Sequence, residues 1–240
     1  MIKAILFDLD GTLLPVDTDV FLRADLSGIG VRLAALGYDP EDLKKVFQNS
    51  FVGMLTNNGT KTNQEAFWEQ FRIVLGEKVM DDAAVIEKVY WEEFQELKSF
   101  CGLNPMAAQV VSRSRELGYR VILATNPVFP ASITHSRITW AGLQPQDFEM
   151  ITTFENSRFC KPNLEYYRDV LSAIGLEGEE CLMVGNDTGD DLPAGQLGME
   201  VFILTDCLIN KNNISLDDIP NGGFDELQNR IKELAGKKSD

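Results

Sequence analysis

Asp8 and Asp10 stand two residues apart in the segment MIKAILFDLDGTLLP, and Asp187 lies far downstream in GNDTGDD. On a strand, a spacing of two points both side chains to one face. Two carboxylates so placed repel, unless a cation holds them or one is protonated. With Asp187 they make three hard oxygen donors with no nearby His or Cys, a set that suits Mg²⁺ rather than zinc. A carboxylate can also act as a nucleophile, forming an aspartyl-phosphate that splits one hard hydrolysis into two easier steps. It cannot approach a phosphate dianion unless that charge is offset. Mg²⁺ and Lys161 would supply positive charge, and Thr125, Asn126 and backbone N–H groups would supply oriented donors. A second carboxylate, protonated in the first step and ionised in the second, serves as acid and then base.

These residues need a scaffold that brings distant segments to one place, and the hydrophobic pattern supplies one. Residues 2–9 form a β-branched, apolar run closed by Asp10-Gly11, a strand entering a tight turn. From about residue 17 to residue 99 the spacing is helical. Its apolar stripes are Phe21, Leu22 and Leu26; Leu43, Val46 and Phe47; Phe67, Phe71 and Val74; and Val85, Ile86, Val89, Tyr90, Phe94 and Leu97. From Asn104-Pro105 onward, helices alternate with short apolar strands. Strands are expected at 120–124, 148–152, 181–184 and 201–204, and helices at 105–117, 132–140, 164–174 and 224–234, with a helical turn or two at 192–197. Such alternation predicts an α/β fold, a doubly wound parallel sheet. The first strand belongs to that sheet, so the helical stretch is an insertion. The expected division is an α/β core of residues 1–15 and 104–240 with an all-helical domain of residues 16–103 inserted into it.

In open parallel sheets, ligands bind beyond the carboxyl ends of the strands. Asp8, Asp10 and Thr12 follow the first strand, Thr125 and Asn126 the second, and Asn186, Asp187, Asp190 and Asp191 the run CLMVG; Lys161 precedes a helix. Each piece alone has a plain structural explanation. Asp-Gly after a strand is a turn, Thr-Asn a capping pair, Lys161-Pro162 a solvated lysine before a helix, and GNDTGDD a turn or cap. Their joint occurrence in this order is what points to function.

The order Asp8-x-Asp10-Gly11-Thr12, Thr125-Asn126, Lys161-Pro162 and Gly185-Asn186-Asp187-x-x-x-Asp191 resembles the four motifs of the haloacid dehalogenase-like hydrolase superfamily, across residues 1–15 and 104–234. The resemblance implies a Rossmann-like core, with the helical insert as a cap domain. It implies Asp8 as nucleophile, Asp10 as general acid/base, Thr125 as phosphate ligand, and Lys161 as the lysine bridging nucleophile and phosphate. Asp187, with Asp8 and the backbone carbonyl of Asp10, would hold Mg²⁺. Asp191 would be the second acidic position of the last motif, a task that Asp190 or Asn186 could share. Dehalogenases of the superfamily lack a carboxylate where Asp10 stands, and its phosphonate hydrolases carry a small residue there. Asp10 followed by Thr12 therefore resembles the phosphatase and phosphomutase pattern. Phosphomonoesterase is the expected activity, because Asp17-Thr18-Asp19-Val20 does not match the mutase pattern clearly. A phosphomutase of the beta-phosphoglucomutase type and a catalytically inactive binding module are the alternatives.

Composition limits the partners. The 240 residues carry 22 Lys and Arg against 37 Asp and Glu, a net charge of −15. That excess disfavours nucleic acid, which is bound through basic faces, and disfavours anionic membrane surfaces. A small phosphorylated metabolite is compatible, provided a local cation offsets the field. No stretch approaches the roughly 20 apolar residues of a membrane span, and the first residues lack a signal-peptide pattern. Cys101, Cys160, Cys181 and Cys207 are scattered, as in proteins with reduced thiols. A cytoplasmic monomer or homodimer is expected. His135, the single histidine, reads as a surface or capping residue. Gly28-Ile29-Gly30 sits in the helical stretch and not after a strand, so it is no dinucleotide fingerprint. The polar segment GMLTNNGTKTN, residues 53–63, is either a connector or a specificity loop presenting Asn57, Thr60 and Lys61 to the leaving group.

Overall fold

The computed structural model of the chain describes residues 1–16 and 27–236. The first apolar stripe (Phe21, Leu22, Leu26) and the segment Asp17-Thr18-Asp19-Val20 lie outside the described residues, as do the last four residues of the polar tail. Six strands form one fully parallel sheet: β1 (Ala4–Phe7), β2 (Arg120–Leu123), β3 (Met150–Ile151), β4 (Cys181–Gly185), β5 (Glu200–Leu204) and β6 (Asn221–Gly222). Their order is β3-β2-β1-β4-β5-β6, with Ala4 in register with Arg120 on one side and Cys181 on the other. The chain winds outward from β1 to β3, then crosses back to β4, so the switch point of the topology lies beside β1.

Alternation along β1 divides the core. Ile5 and Phe7 pack with α5 (Pro105–Glu116), α6 (Ala131–Trp140) and α8 (Phe224–Gly236) on one face; Ala4 and Leu6 pack with α7 (Leu164–Ile174) on the other. The four residues of β1 are fully buried, as expected of a central parallel strand with both faces covered. β1 and β3 are shorter than the apolar runs suggest, and β6 is a two-residue strand in a stretch with no strand pattern. It forms because Ile203 N donates to Pro220 O and Thr205 N to Gly222 O, a tertiary pairing that Asn-Gly does not announce.

Between β1 and α5 the described chain is helical, as its spacing predicts: α1 (Ser27–Ala34), α2 (Pro40–Leu55), α3 (Asn63–Leu75) and α4 (Ala83–Gln95), with short 3-10 turns at Glu77–Met80 and Glu96–Phe100. Asp39 caps α2, accepting from Glu41 N and Asp42 N, and Pro40 begins it. Thr62 and Glu65 form a reciprocal capping box at α3. Leu43, Val46, Phe47, Phe67, Trp68 and Phe71 make a separate apolar cluster, joined by Val128, Phe154 and Cys160 from the sheet side. Phe47 meets Phe71 edge to face at 5.2 Å. Asn63, fully buried, fastens the two parts: its N donates to Ser157 O (2.8 Å) and its Nδ2 to Pro127 O (3.1 Å). The two connecting segments meet where Gly102 N donates to Pro15 O (2.7 Å).

Trp68 and Trp140 are buried, whereas Trp91 is exposed and donates to Ser136 Oγ. His135 is exposed on α6. All four cysteines are free thiols, Cys160 and Cys181 buried and Cys101 and Cys207 partly so. No helix among the described residues is long and apolar enough to cross a membrane.

Candidate active site

The carboxyl ends of β1, β2 and β4 open into a cavity of about 410 Å³, lined by Asp8, Asp10, Thr125, Asn126, Lys161, Asp187, Asp190 and Asp191 among others. Asp8 follows directly on β1 and stays tied to β4, donating its N–H to Val184 O (2.9 Å). The chain then turns at Gly11, whose φ of +79° suits glycine. A Cβ there would lie 2.2 Å from Asn186 Nδ2. That turn carries Asp10 back over the strand end. Thr12 Oγ1 contacts Asn186 Oδ1 at 2.9 Å and Asp8 Oδ2 at 3.3 Å; its single proton favours the shorter contact.

Lys161 joins two of the carboxylates. Its Nζ donates to Asp8 Oδ1 (3.0 Å) and to Asp191 Oδ1 (2.7 Å), and the residue is only 3% exposed. Asp191 Oδ2 in turn accepts from Asp187 N (3.0 Å), so one buried carboxylate orients both the lysine and the loop that carries Asp187. Gly185 makes room for this, since a Cβ there would collide with the Asp191 carboxylate at 2.0 Å. Asp187 Oδ1 accepts from Gly189 N (2.7 Å) and Asp190 N (3.3 Å). Asn186 spends its amide on structure, accepting from Thr12 and donating to Cys207 O (2.7 Å). Of the two residues considered beside Asp191, Asp190 is therefore the freer one. Its backbone carbonyl accepts from Tyr167 Oη (2.6 Å), and Asn126 Nδ2 reaches its carboxylate at 3.4 Å. Thr125 is 1% exposed, its carbonyl held by Thr152 Oγ1 (2.7 Å) and Tyr166 Oη (3.0 Å).

The concentration of charge shows in the titration of these groups. Burial lifts Asp8 to about 7, with Asp191 and Asp10 pushing the same way and Lys161 opposing. Burial also raises Asp10, against the pull of Arg137 and Lys161. Asp190 is pushed up to about 6, again by burial first. Burial alone would lower Lys161, but Asp191 and Asp8 hold it well above the usual lysine range.

Sequence reasoning missed Arg137. Its side chain is fully buried and its Nη1 bonds Asp10 Oδ2; Nη2 donates to Thr134 Oγ1 (3.2 Å), and the guanidinium lies 4.5 Å over the Phe129 ring. The signal was available: Arg137 interrupts the buried face Ile133, Thr134, Ile138 and Trp140 of α6, where a charge needs a partner. The reading of residues 53–63 as a specificity loop is not supported by their contacts. Lys61 Nζ pairs with Glu69 (2.8 Å), Thr60 Oγ1 donates to Asn58, and Asn57 Nδ2 donates to Lys61 O and Asn63 Oδ1. None of the three lines the cavity; of this segment Leu55, the last residue of α2, does, together with Phe51 one turn before it.

Among the described residues no three Asp, Glu, His or Cys side chains already stand together as a metal cluster. Yet the cavity gathers five carboxylates against two lysines, with no His or Cys in its lining. Those features fit Mg²⁺ rather than a softer metal.

Residues 2–198 match the family model of haloacid dehalogenase-like hydrolases. The chain is 25% identical over 210 residues to the ribulose-1,5-bisphosphate 5-phosphatase of Halopiger xanaduensis, covering 85% of this chain and 84% of that protein. It superposes on the HAD phosphatase from Thermococcus onnurineus with a TM-score of 0.57 at 19% identity, over 96% of this chain and 98% of the other. It also superposes on CbbY from Rhodobacter sphaeroides, solved in complex with phosphate, with a TM-score of 0.57 at 19% identity, over 95% and 96%.

Proposed function

Since this chain belongs to the haloacid dehalogenase-like hydrolases and is a hydrolase of phosphoric monoesters, we propose that it cleaves small phosphorylated metabolites through an aspartyl-phosphate on Asp8, with Mg²⁺ as cofactor. The observation that carries this reading is the buried lysine bridge. Lys161 holds Asp8 on one side and Asp191 on the other, beside Thr125 and Asn126, at the switch point of a parallel sheet.

Thr125 and Asn126 bind the phosphoryl oxygens, and Lys161 offsets their charge while fixing the direction of the Asp8 carboxylate. Asp8 attacks phosphorus; the bond to the ester oxygen breaks, and Asp10 gives that oxygen a proton. Arg137 engages Asp10 Oδ2, which leaves Oδ1 as the atom to carry the proton. In the second step Asp10 takes a proton from water as the water oxygen attacks phosphorus. Phosphate leaves and Asp8 is regenerated. Asp8, Asp187 and the Asp10 backbone carbonyl would hold Mg²⁺, whose positive charge would offset that of the phosphoryl oxygens. Thr12 and Asp191 support the arrangement from behind. Residues 16–103 act as a cap domain on a core of residues 1–15 and 104–240, Phe51 and Leu55 forming its contribution to the cavity.

The test is phosphate release from a panel of phosphomonoesters with Mg²⁺ and with a chelator. Release that requires Mg²⁺ supports the reading; metal-independent release, or none from any compound, overturns it.

A further inference from the structure

The cavity continues beyond the carboxylates. Apolar side chains line it as well: Phe51 and Leu55 of α2, Val128 and Phe129 after β2, and Ile209 from the loop after β5. Besides Lys161, one cation lines the same cavity as Asp8: Lys211, which is exposed. Among the described residues its ammonium has no ion-pair or hydrogen-bond partner. What sets Lys211 apart from the other exposed lysines is its place in the lining of the cavity that holds Asp8. Lys61, Arg120, Arg158 and Arg230 each hold a carboxylate.

The backbone of the Lys211 loop is fixed relative to the catalytic end. Ile209 N donates to Asn186 O (2.8 Å) and Thr188 N donates to Ile209 O (2.9 Å), a bridge between this loop and the one carrying Asp187. Thr188 Oγ1 bonds Asn210 Oδ1 (3.1 Å), and Asn210 closes on Ile214 through both N (2.9 Å) and O (2.8 Å). Lys211 is thus anchored one residue from a loop clamp shared with the candidate metal ligand.

We propose that Lys211 is the recognition residue for a second anionic group on the substrate, a carboxylate or a phosphate carried by the leaving group. The inference rests on the phosphatase reading. Five carboxylates line the cavity, and Lys161 is already committed to Asp8 and Asp191. A substrate with two anionic groups would be repelled at its far end unless a cation met it there. Lys211 is that cation, and the apolar side chains lining the same cavity suit a carbon segment that carries both groups.

Matched pairs of compounds test this with the full-length chain and Mg²⁺. One pair is a phosphorylated hydroxy acid and its methyl ester; the other is a bisphosphate and the monophosphate of the same carbon skeleton. The wild type is expected to favour one charged member by about tenfold or more in kcat/KM, through KM. The pair that shows the preference identifies carboxylate or phosphate as the second group. Lys211→Ala is expected to lower kcat/KM about tenfold more for that charged member than for its neutral partner, and Lys211→Arg to restore the gap. A wild type without preference, or equal losses on both members, overturns the inference. Absence of Mg²⁺-dependent release from every compound overturns the phosphatase reading instead, and the inference falls with it.

Discussion

Arg137, fully buried on α6, forms an ion pair with Asp10 across 127 residues of sequence. The pair couples the turn after β1 to a core helix, so the orientation of Asp10 depends on the packing of α6. Removing one member of a buried pair leaves the other uncompensated. Arg137→Met should therefore lower stability in urea unfolding by about 3 kcal/mol, and adding Asp10→Asn should recover part of that loss. A single variant within about 0.5 kcal/mol of wild type would contradict this account.

Lys161 lowers the pKa of Asp8, which burial has raised to about 7. Deleting the lysine lifts Asp8 further, so a smaller fraction of the nucleophile is ionised at any given pH. Lys161→Ala should lower kcat at least about a hundredfold. Its kcat/KM profile should also shift to higher pH, with a larger deficit at pH 6 than at pH 8.5. A uniform loss across that range would show that the lysine does not control Asp8 ionisation.

Asp190 offers a test that does not depend on activity. Its folded pKa of about 6 lies above its ordinary value of 3.8, because burial disfavours the charged form. The folded state therefore binds the proton more tightly. Its favourable contribution is intact below the unfolded pKa and is lost as pH rises through about 6. In chelator, Asp190→Asn should gain stability relative to wild type between pH 4 and pH 7, on the order of 2 kcal/mol. A pH-independent difference would contradict the assigned burial.

Leu55 and Lys61 are only six residues apart, yet they differ in role. Leu55 lines the cavity while Lys61 is paired with Glu69. Leu55→Ala should raise KM for preferred substrates about three- to tenfold, as expected for removing apolar contact. Lys61→Ala should leave the substrate profile in place. The opposite pattern in steady-state kinetics would restore the reading in which Asn57, Thr60 and Lys61 face the leaving group.

The sheet is legible in the sequence because its central strands are buried on both faces, and AILF, RVIL, CLMVG and EVFIL therefore read as apolar runs. The gathering of Asp8, Asp10, Thr125, Lys161 and Asp187 is legible for the same reason: strand ends in a parallel sheet share one edge. β6 is not legible, since Asn221-Gly222 pairs only because β5 presents a free edge to it. Nor is the identity of Arg137's partner: the helical pattern marks Arg137 as a buried charge, but nothing local to it names Asp10. Lys61 and Lys211 look alike as surface lysines in a polar segment. Tertiary packing alone gives one a carboxylate and the other a place in the cavity.

The central claim is that phosphorus passes through Asp8. Reaction with a substrate labelled at its phosphoryl group, quenched in acid during turnover, tests this most directly. The expected result is a hydroxylamine-sensitive label on the peptide containing Asp8, together with loss of both label and phosphate release in Asp8→Asn. Sustained turnover by Asp8→Asn, or a label on any other segment, would contradict the account.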